Sequence, residues 1–186
     1  AKIVYKPYID AGVTNEDANW DEKFWEPLRT KDQENQAFVT AQTFKTHFKV
    51  TTFMSNSIWT NGKNLNISPE IVSATKEKVQ FNYAVTVAKG TTSSIQKIGG
   101  YTVSLNHENT LLAAESAIIS ALEKGYGQLL QDQIEAWAKI WEMSDITIDG
   151  DVKAQQGIRF NIFQLNQTLT IGSISDCIIG TTPLSL

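Results

Sequence analysis

Cysteine and histidine are scarce in this sequence, whose 186 residues include one cysteine and two histidines. The lone cysteine, Cys177, cannot form a disulfide within the chain. This favours a reducing compartment, so we expect a cytoplasmic protein. The sequence places no other histidine or cysteine at metal-ligand spacing from His47 or His107. No metal site is therefore predicted.

An excess of either charge is also lacking, because 16 lysine and arginine residues nearly balance 20 aspartate and glutamate residues. No basic patch or stripe marks a nucleic-acid surface, so no nucleic-acid partner is expected. No apolar run approaches the ~18 residues needed to span a membrane, so no membrane partner is expected. Residues 1–7 lack the charged start and long apolar stretch of an export signal, which agrees with the expected cytoplasmic location.

Common cofactor and nucleophile motifs are missing as well. The sequence has no glycine-rich phosphate loop of either common spacing, and no Ser-His-Asp order stands out. We therefore predict no cofactor and assign no catalytic residue within this chain.

An acidic segment rich in tryptophan stands out within the irregular stretch 10–36. Aromatic rings stack on sugar faces and carboxylates bind hydroxyl groups, so interleaved tryptophan and acid suit a sugar site. Long loops inside a domain are commonly functional. The alternative is a solvated loop whose tryptophans anchor it to the domain, and this alternative is favoured over catalysis. The residues predicted to lie near a substrate are Asp17, Trp20, Asp21, Glu22 and Trp25.

Strand patterns dominate the next part of the chain. Apolar residues recur at alternate positions over 38–54 and more regularly over 79–87, and a further strand is predicted over 94–105. Asn61-Gly62 predicts a tight turn, and Gly99-Gly100 predicts a bulge or bend. Alternation of this kind indicates antiparallel sheet with one solvated face.

The hydrophobic period becomes helical after about residue 106. A first helix is predicted to end at Gly125, a second covers about 130–141, and a third covers about 152–167. A short strand is predicted over 146–148. The third helix is apolar over most of its circumference, which indicates burial against further protein. The predicted fold class is therefore α+β, with an antiparallel β-sandwich portion followed by linker α-helices.

Three residues of the helical part are given structural roles. Trp137 and Trp141 lie at helical spacing on one face and are interpreted as core residues. Arg159 lies among apolar neighbours and must be paired if it is buried, so an ion pair is favoured over a bound substrate anion. Residues 168–186 contain no lysine, arginine or glutamate and show no period. They are predicted to form an atypical tail outside the fold.

Seven short segments carry a more specific signal than any of these patterns. They are 13–17 (VTNED), 21–25 (DEKFW), 51–54 (TTFM), 137–141 (WAKIW), 144–146 (SDI), 148–151 (IDGD) and 155–165 (QQGIRFNIFQL). Together they resemble glycoside hydrolase family 65, in particular its maltose phosphorylase branch. The resemblance covers roughly residues 1–167, and the combination is far more specific than any one motif.

The resemblance implies an N-terminal β-sandwich that leads through linker helices into an (α/α)6 barrel with the catalytic glutamate and the phosphate site. On this basis residues 1–105 form part of the sandwich and 106–150 the helical linker. Residues 151–167 form the first helix of a barrel that is otherwise missing, and 168–186 form the tail. The family's catalytic acid segment finds no match in this chain, so no catalytic residue is carried over.

The implied reaction is inverting phosphorolysis, in which maltose and inorganic phosphate give β-glucose 1-phosphate and glucose. We expect this chain to be a non-catalytic N-terminal and linker fragment of such an enzyme, inactive alone. The intact protein is expected to bind an α-linked disaccharide and to form a homodimer. Three alternatives stay open: a stand-alone carbohydrate-binding β-sandwich, an oligomerisation module, and an α-glucoside hydrolase of the same family. A partial sandwich would leave strand edges unpaired, which favours self-association.

Overall fold

The computed structural model describes residues 1–14 and 23–168. The described residues form two compact units, residues 1–120 and residues 121–168. Across the described ranges, no helix is both long and apolar enough to cross a membrane.

Within the described residues, nine strands precede two helices. The strands are β1 Lys2–Tyr5, β2 Tyr8–Asp10, β3 Trp25–Gln33, β4 Gln36–Thr43, β5 Lys49–Thr60, β6 Lys63–Asn64, β7 Glu70–Ala74, β8 Lys78–Thr86 and β9 Ser93–Val103. The helices are α1 Thr110–Ser144 and α2 Val152–Thr168. All strand pairs are antiparallel. The predicted α+β class, with sheets followed by helices, is therefore confirmed.

The small sheet is built around β8. Strands β1 and β2 pair successive parts of one edge of β8, and β7 pairs the other edge. The alternation predicted over 79–87 is confirmed, because every second residue from Val79 to Val87 is buried. The chain then leaves the strand through Gly90, whose φ of +79° suits glycine.

The large sheet runs β3-β4-β5-β9, and β6 pairs the end of β5. The prediction of one buried face over 38–54 is wrong, because two strands and a turn occupy this stretch and β4 is buried on both faces. The turn is closed by Phe48, whose N–H donates to the Thr43 hydroxyl at 3.0 Å, and His47 there has a φ of +51°. The predicted Asn61-Gly62 turn is confirmed, since both residues have positive φ between β5 and β6.

Both faces of the large sheet are covered, which explains why the apolar period over β4 and β5 was misleading. The inner face packs on the small sheet and the outer face packs on the start of α1. The inner core contains Tyr5, Ile9, Ala37, Val39, Met54, Ile58, Val79, Phe81, Tyr83, Val85 and Val87. The outer cluster contains Phe38, Phe53, Ala114 and Ile118.

A row of buried threonines joins the large sheet to α1. Thr40, Thr51 and Thr102 lie side by side on β4, β5 and β9. The Thr51 hydroxyl lies 2.9 Å from the Thr40 hydroxyl and 2.7 Å from that of Thr110, the first residue of α1. Thr102 donates to the Thr110 carbonyl at 2.6 Å. The threonine hydroxyl groups that α1 shields from water are therefore hydrogen-bonded to one another or to the backbone of α1.

The glycine pair of β9 does not form the predicted bulge. Gly99 and Gly100 pair with Met54 and Phe53 in an unbroken register. A Cβ at Gly99 would lie 3.3 Å from the Phe53 carbonyl oxygen, so glycine allows a close approach of the two strands.

The stretch 10–36 is more regular than predicted, because β3 occupies its second half. Strand β3 lies at the edge of the large sheet and carries Pro27, with a register shift between Pro27 and Arg29. Such edge strands are mostly polar and partly exposed, so they lack an apolar period. The short strands β1 and β2 were missed for the same reason.

The prediction that the first helix ends at Gly125 is confirmed. There α1 is broken by a non-helical residue with φ 69° and ψ 167°, which separates two helical segments. The third predicted helix is α2. The short strand predicted over 146–148 is absent; instead Gln155 donates to the Ile146 carbonyl at 2.8 Å and accepts the Ile148 N–H at 2.6 Å.

Candidate functional site

A cleft of about 740 Å³ opens in the first unit between the inner face of the large sheet and strand β2. We call it the aromatic cleft. Its floor comes from β4, β5 and β9, and its wall comes from Tyr8 to Ala11, Val13 and Trp25. The floor residues are Val39, Ala41, Val50, Thr52, Phe53, Lys97, Gly99, Gly100 and Tyr101.

Three aromatic residues from different strands, Tyr8, Trp25 and Tyr101, are among the described lining residues of the cleft. The Tyr8 ring lies with Lys78 on the face of the small sheet opposite the buried Ile9 and Val79. Tyr8 is 54% exposed and Tyr101 is 45% exposed, whereas Trp25 is partly buried. Phe24 packs edge-on against Trp25 with 5.4 Å between ring centroids. Lys78 lies 4.9 Å from the centroid of the Tyr8 ring. Exposed rings on a rigid sheet offer a flat apolar surface to a ligand.

Two described lining residues of the cleft, Asp10 and Lys97, carry opposite charges. Asp10 accepts the Gly12 N–H at 2.9 Å and lies 3.3 Å from the Lys78 ammonium. Lys97 donates to the Tyr8 carbonyl at 3.3 Å, and burial lowers the pKa of its ammonium. Lys97 reaches the cleft because strand alternation places it on the same face as Gly99 and Tyr101.

Acidic groups are few among the described lining residues of the aromatic cleft. Asp10 is the single carboxylate among its described lining residues, and Lys78 already pairs with it. Hydrolysis of a glycoside ordinarily needs two carboxyl groups facing each other across the scissile bond. Within the described ranges no group of three or more His, Cys, Asp or Glu could hold a metal ion.

The predicted substrate-proximal residues divide into two sets. Trp25 lines the aromatic cleft. Asp17, Trp20, Asp21 and Glu22 lie outside the described residues. The prediction that these residues lie near a substrate therefore stays a prediction.

Local sequence patterns indicate few of the other cleft residues. The same-face set Lys97, Gly99 and Tyr101 follows from strand alternation along β9, once that strand is recognised. Tyr8 and Asp10 belong to a three-residue strand too short to show a period. Nothing in local sequence could bring β2 beside β9, because that contact depends on the packing of two sheets.

The helical unit, residues 121–168, holds the other predicted residues. Trp137 lies 4.9 Å from the Phe163 ring and 6.1 Å from the Trp141 ring, and both tryptophans are partly buried. On α2, Phe160 is 59% exposed and Leu165 is 57% exposed, so the predicted burial of this helix against further protein stays a prediction. The described residues of this unit supply no element that covers those side chains.

Arg159 makes the ion pair expected of it, although its side chain is half exposed and not buried. Its Nε donates to Asp145 Oδ1 at 2.8 Å and its Nη2 to Asp145 Oδ2 at 2.6 Å. This two-point geometry matches the planar guanidinium to the planar carboxylate. Arg159 therefore ties α2 to the end of α1.

Arg159→Gln is expected to raise the pKa of Asp145 toward the ordinary aspartate value of about 3.9. The hydrogen bonds from Arg159 hold the pKa of Asp145 below that value. The pair therefore stabilises the folded state above the ordinary pKa, and this stabilisation is lost as pH falls through the lowered pKa. Added salt should weaken the effect, because both groups are exposed.

Carbon-13 NMR titration of the Asp145 carboxyl group tests this expectation. Asp132 is the matched control, because hydrogen bonds from Lys124 and Gln128 lower its pKa without Arg159. The midpoint of Asp132 should stay unchanged in Arg159→Gln. An unchanged midpoint for Asp145 would show that Arg159 does not set it.

Comparison with known proteins supplies the context for this geometry. The model of the N-terminal domain of glycosyl hydrolase family 65 matches residues 1–140. Maltose phosphorylase from Bacillus subtilis (strain 168) is 30% identical over 170 residues, which covers 90% of this chain and 22% of that protein. Kojibiose hydrolase from Mucilaginibacter mallensis is 34% identical over 79 residues, which covers 42% of this chain and 12% of that protein.

A solved structure shares the fold of this chain. It belongs to a protein from the human microbiome that is described as a kojibiose phosphorylase, with a TM-score of 0.67 and 20% identity. The similarity covers 89% of this chain and 21% of that one. The present chain thus spans about a fifth of the length of the phosphorylases that it matches along most of its own length.

Proposed function

This chain belongs to glycosyl hydrolase family 65, and we propose that it forms the N-terminal and linker part of an inverting disaccharide phosphorylase. The observation that carries the proposal is the 30% identity to a maltose phosphorylase over 90% of the chain. The chain then supplies a β-sandwich and linker helices, and the catalytic acid belongs to residues beyond those described.

The proposed reaction transfers a glucosyl group from maltose to inorganic phosphate. A glutamic acid protonates the glycosidic oxygen, the bond to the anomeric carbon breaks, and a phosphate oxygen attacks the opposite face of the sugar. The products are β-glucose 1-phosphate and glucose. Phosphate takes the place of the base-activated water of an inverting hydrolase, so one carboxyl group suffices.

The domain layout is part of the same proposal. Residues 1–105 belong to the sandwich, 106–150 to the linker, 151–167 to the first barrel helix and 168–186 to a tail. Exposed apolar side chains on α2, such as Phe160 and Leu165, support burial of this helix against a barrel. A cytoplasmic homodimer acting on an α-linked disaccharide completes the proposal.

A hydrolase of α-glucosides is the second candidate, favoured by the identity to kojibiose hydrolase over 79 residues. The residues that choose between phosphate and water as the nucleophile are not among those described. A stand-alone carbohydrate-binding or oligomerisation module is a third possibility, which the aromatic cleft supports by its lining.

Product analysis with the protein translated from the complete gene tests the proposal. Maltose and kojibiose are each incubated with and without inorganic phosphate, and the products are followed by proton and phosphorus NMR. We expect phosphate-dependent formation of β-glucose 1-phosphate from maltose. Glucose release at the same rate with and without phosphate would establish the hydrolase instead. If neither sugar is cleaved, both the phosphorylase and the hydrolase proposals are contradicted.

A further inference from the structure

We infer that Asn61 is a modification site, at which the side-chain amide is lost by deamidation through the backbone nitrogen of Gly62. Asn61-Gly62 is the single Asn-Gly pair of the sequence. It forms the turn between β5 and β6, where Asn61 has a φ of +48° and Gly62 a φ of +75°. The inference does not depend on the proposed reaction, because these two residues are not among the described lining residues of the aromatic cleft.

The reaction needs only water as a co-reactant. The Gly62 nitrogen attacks Cγ of Asn61, and the bond from Cγ to the side-chain nitrogen breaks. Ammonia leaves with the proton of the Gly62 N–H, and a cyclic imide remains. Water then opens the imide: opening at Cγ gives aspartate, and opening at the main-chain carbonyl gives isoaspartate, in which the main chain runs through the former side chain.

Both residues of the turn are accessible to water. Asn61 and Gly62 are exposed, and no described atom lies within 4 Å of the position that a Cβ of Gly62 would occupy. Glycine does not shield its own nitrogen, and it allows the backbone rotation that brings this nitrogen to Cγ. Asn56, in contrast, is 3% exposed within β5 and is followed by serine. The turn is therefore the favoured place for this chemistry.

Two hydrogen bonds to Thr92 restrain the reaction. The Asn61 N–H donates to the Thr92 carbonyl at 2.9 Å, and Asn61 Oδ1 accepts the Thr92 N–H at 3.0 Å. Because Oδ1 is bonded to Cγ, the second hydrogen bond limits movement of the atom that is attacked. We expect deamidation to follow local opening of the turn, and to be roughly ten-fold slower in the folded chain than in the unfolded chain.

The two products have different effects on the turn. Aspartate keeps an oxygen that accepts the Thr92 N–H, and Asp-Gly suits the same turn as Asn-Gly. Isoaspartate lengthens the main chain within a turn that is closed by the pair Thr60 and Lys63. The added carbon breaks this register, so β6 should lose its pairing with β5.

Timed incubation of the folded 186-residue chain, followed by trypsin digestion and mass spectrometry, tests the site. Cleavage after Lys63 separates peptide 50–63, which contains Asn61, from peptide 64–76, which contains Asn66. Asn66 is the matched control, because it is exposed and has the same φ of +48° but is followed by isoleucine. We expect the acid at Asn61 to form roughly ten-fold faster than at Asn66. Alkaline buffer should accelerate it, since the attacking nitrogen must lose its proton. Equal rates at the two asparagines, or no acid at Asn61, would overturn the inference.

Two variants and an unfolded sample complete the test. Asn61→Gln should abolish the product in peptide 50–63, and a product that persists would place the reaction at Asn56 instead. Asn61→Asp should leave the midpoint of urea unfolding unchanged, and a large loss would contradict the retained hydrogen bond to Thr92. In guanidinium chloride the reaction at Asn61 should be roughly ten-fold faster than in the folded chain. Equal rates in the folded and unfolded chains would show that Thr92 does not restrain the site. Endoproteinase Asp-N, which cleaves before aspartate and not before isoaspartate, identifies the two products.

Discussion

Phe81→Ala is expected to lower the free energy of unfolding by about 3–5 kcal/mol. Phe81 is fully buried on β8 and belongs to the core between the two sheets. Its ring packs edge-on against Tyr83 with 6.4 Å between centroids. Alanine would remove most of the buried apolar surface and leave a cavity that rigid strands on both sides cannot fill.

Urea unfolding followed by circular dichroism measures this loss as a shift in the transition midpoint. Phe44→Ala is the control, because Phe44 lies in the β4–β5 turn and is 50% exposed. That change should alter stability by less than about 1 kcal/mol. Equal losses for Phe81→Ala and Phe44→Ala would show that the core does not lie between these sheets.

Thr51→Val should lower the free energy of unfolding by about 2–3 kcal/mol, although valine matches threonine in shape. The Thr51 side chain is fully buried, and its hydroxyl links those of Thr40 and Thr110. Valine would leave both of these buried hydroxyl groups without that partner. The start of α1 would then be held less firmly on the large sheet.

Thr52→Val tests whether the hydroxyl position matters, because Thr52 is the next residue and its side chain is exposed. The free energy of unfolding of Thr52→Val should differ from that of the unmodified protein by no more than about 0.5 kcal/mol. Hydrogen exchange at the amides of residues 114–118 adds a local readout, and we expect faster exchange in Thr51→Val only. Identical behaviour of the two variants would rule out a stabilising role for the threonine row.

Sequence patterns predicted strands with one buried face, and they predicted helix ends and turns that are marked by glycine. Strand β8 shows regular alternation because its inner side chains enter the core while the others are more exposed. Gly125 interrupts α1 as predicted, since its positive φ favours glycine. The Asn61-Gly62 turn followed from local chemistry in the same way.

The failures of prediction have a common physical origin in tertiary packing. Residues on both faces of β4 are buried, because the small sheet covers one face and α1 the other. A pattern with a single buried face was therefore the wrong template for this strand. Strand β3 lies at the sheet edge, where polar residues are tolerated and no apolar period is needed.

The aromatic cleft was harder to predict than the fold. Trp25 was singled out because of its acidic and aromatic neighbours in sequence. Tyr8, Lys97 and Tyr101 come from strands far apart in the chain, and only the packing of the two sheets brings them to one space. Periodicity identifies the face of a strand, but it does not identify what lies opposite.

Phosphate-dependent cleavage of maltose by the 186-residue chain alone tests the central claim most directly. The claim is that this chain supplies a sandwich and linker helices without a complete catalytic site. We predict that the chain releases no β-glucose 1-phosphate, while the protein from the complete gene does so under the same conditions. Release of β-glucose 1-phosphate by the chain alone, abolished by Asp21→Asn or Glu22→Gln, would contradict the claim and place catalysis in the acidic tryptophan segment.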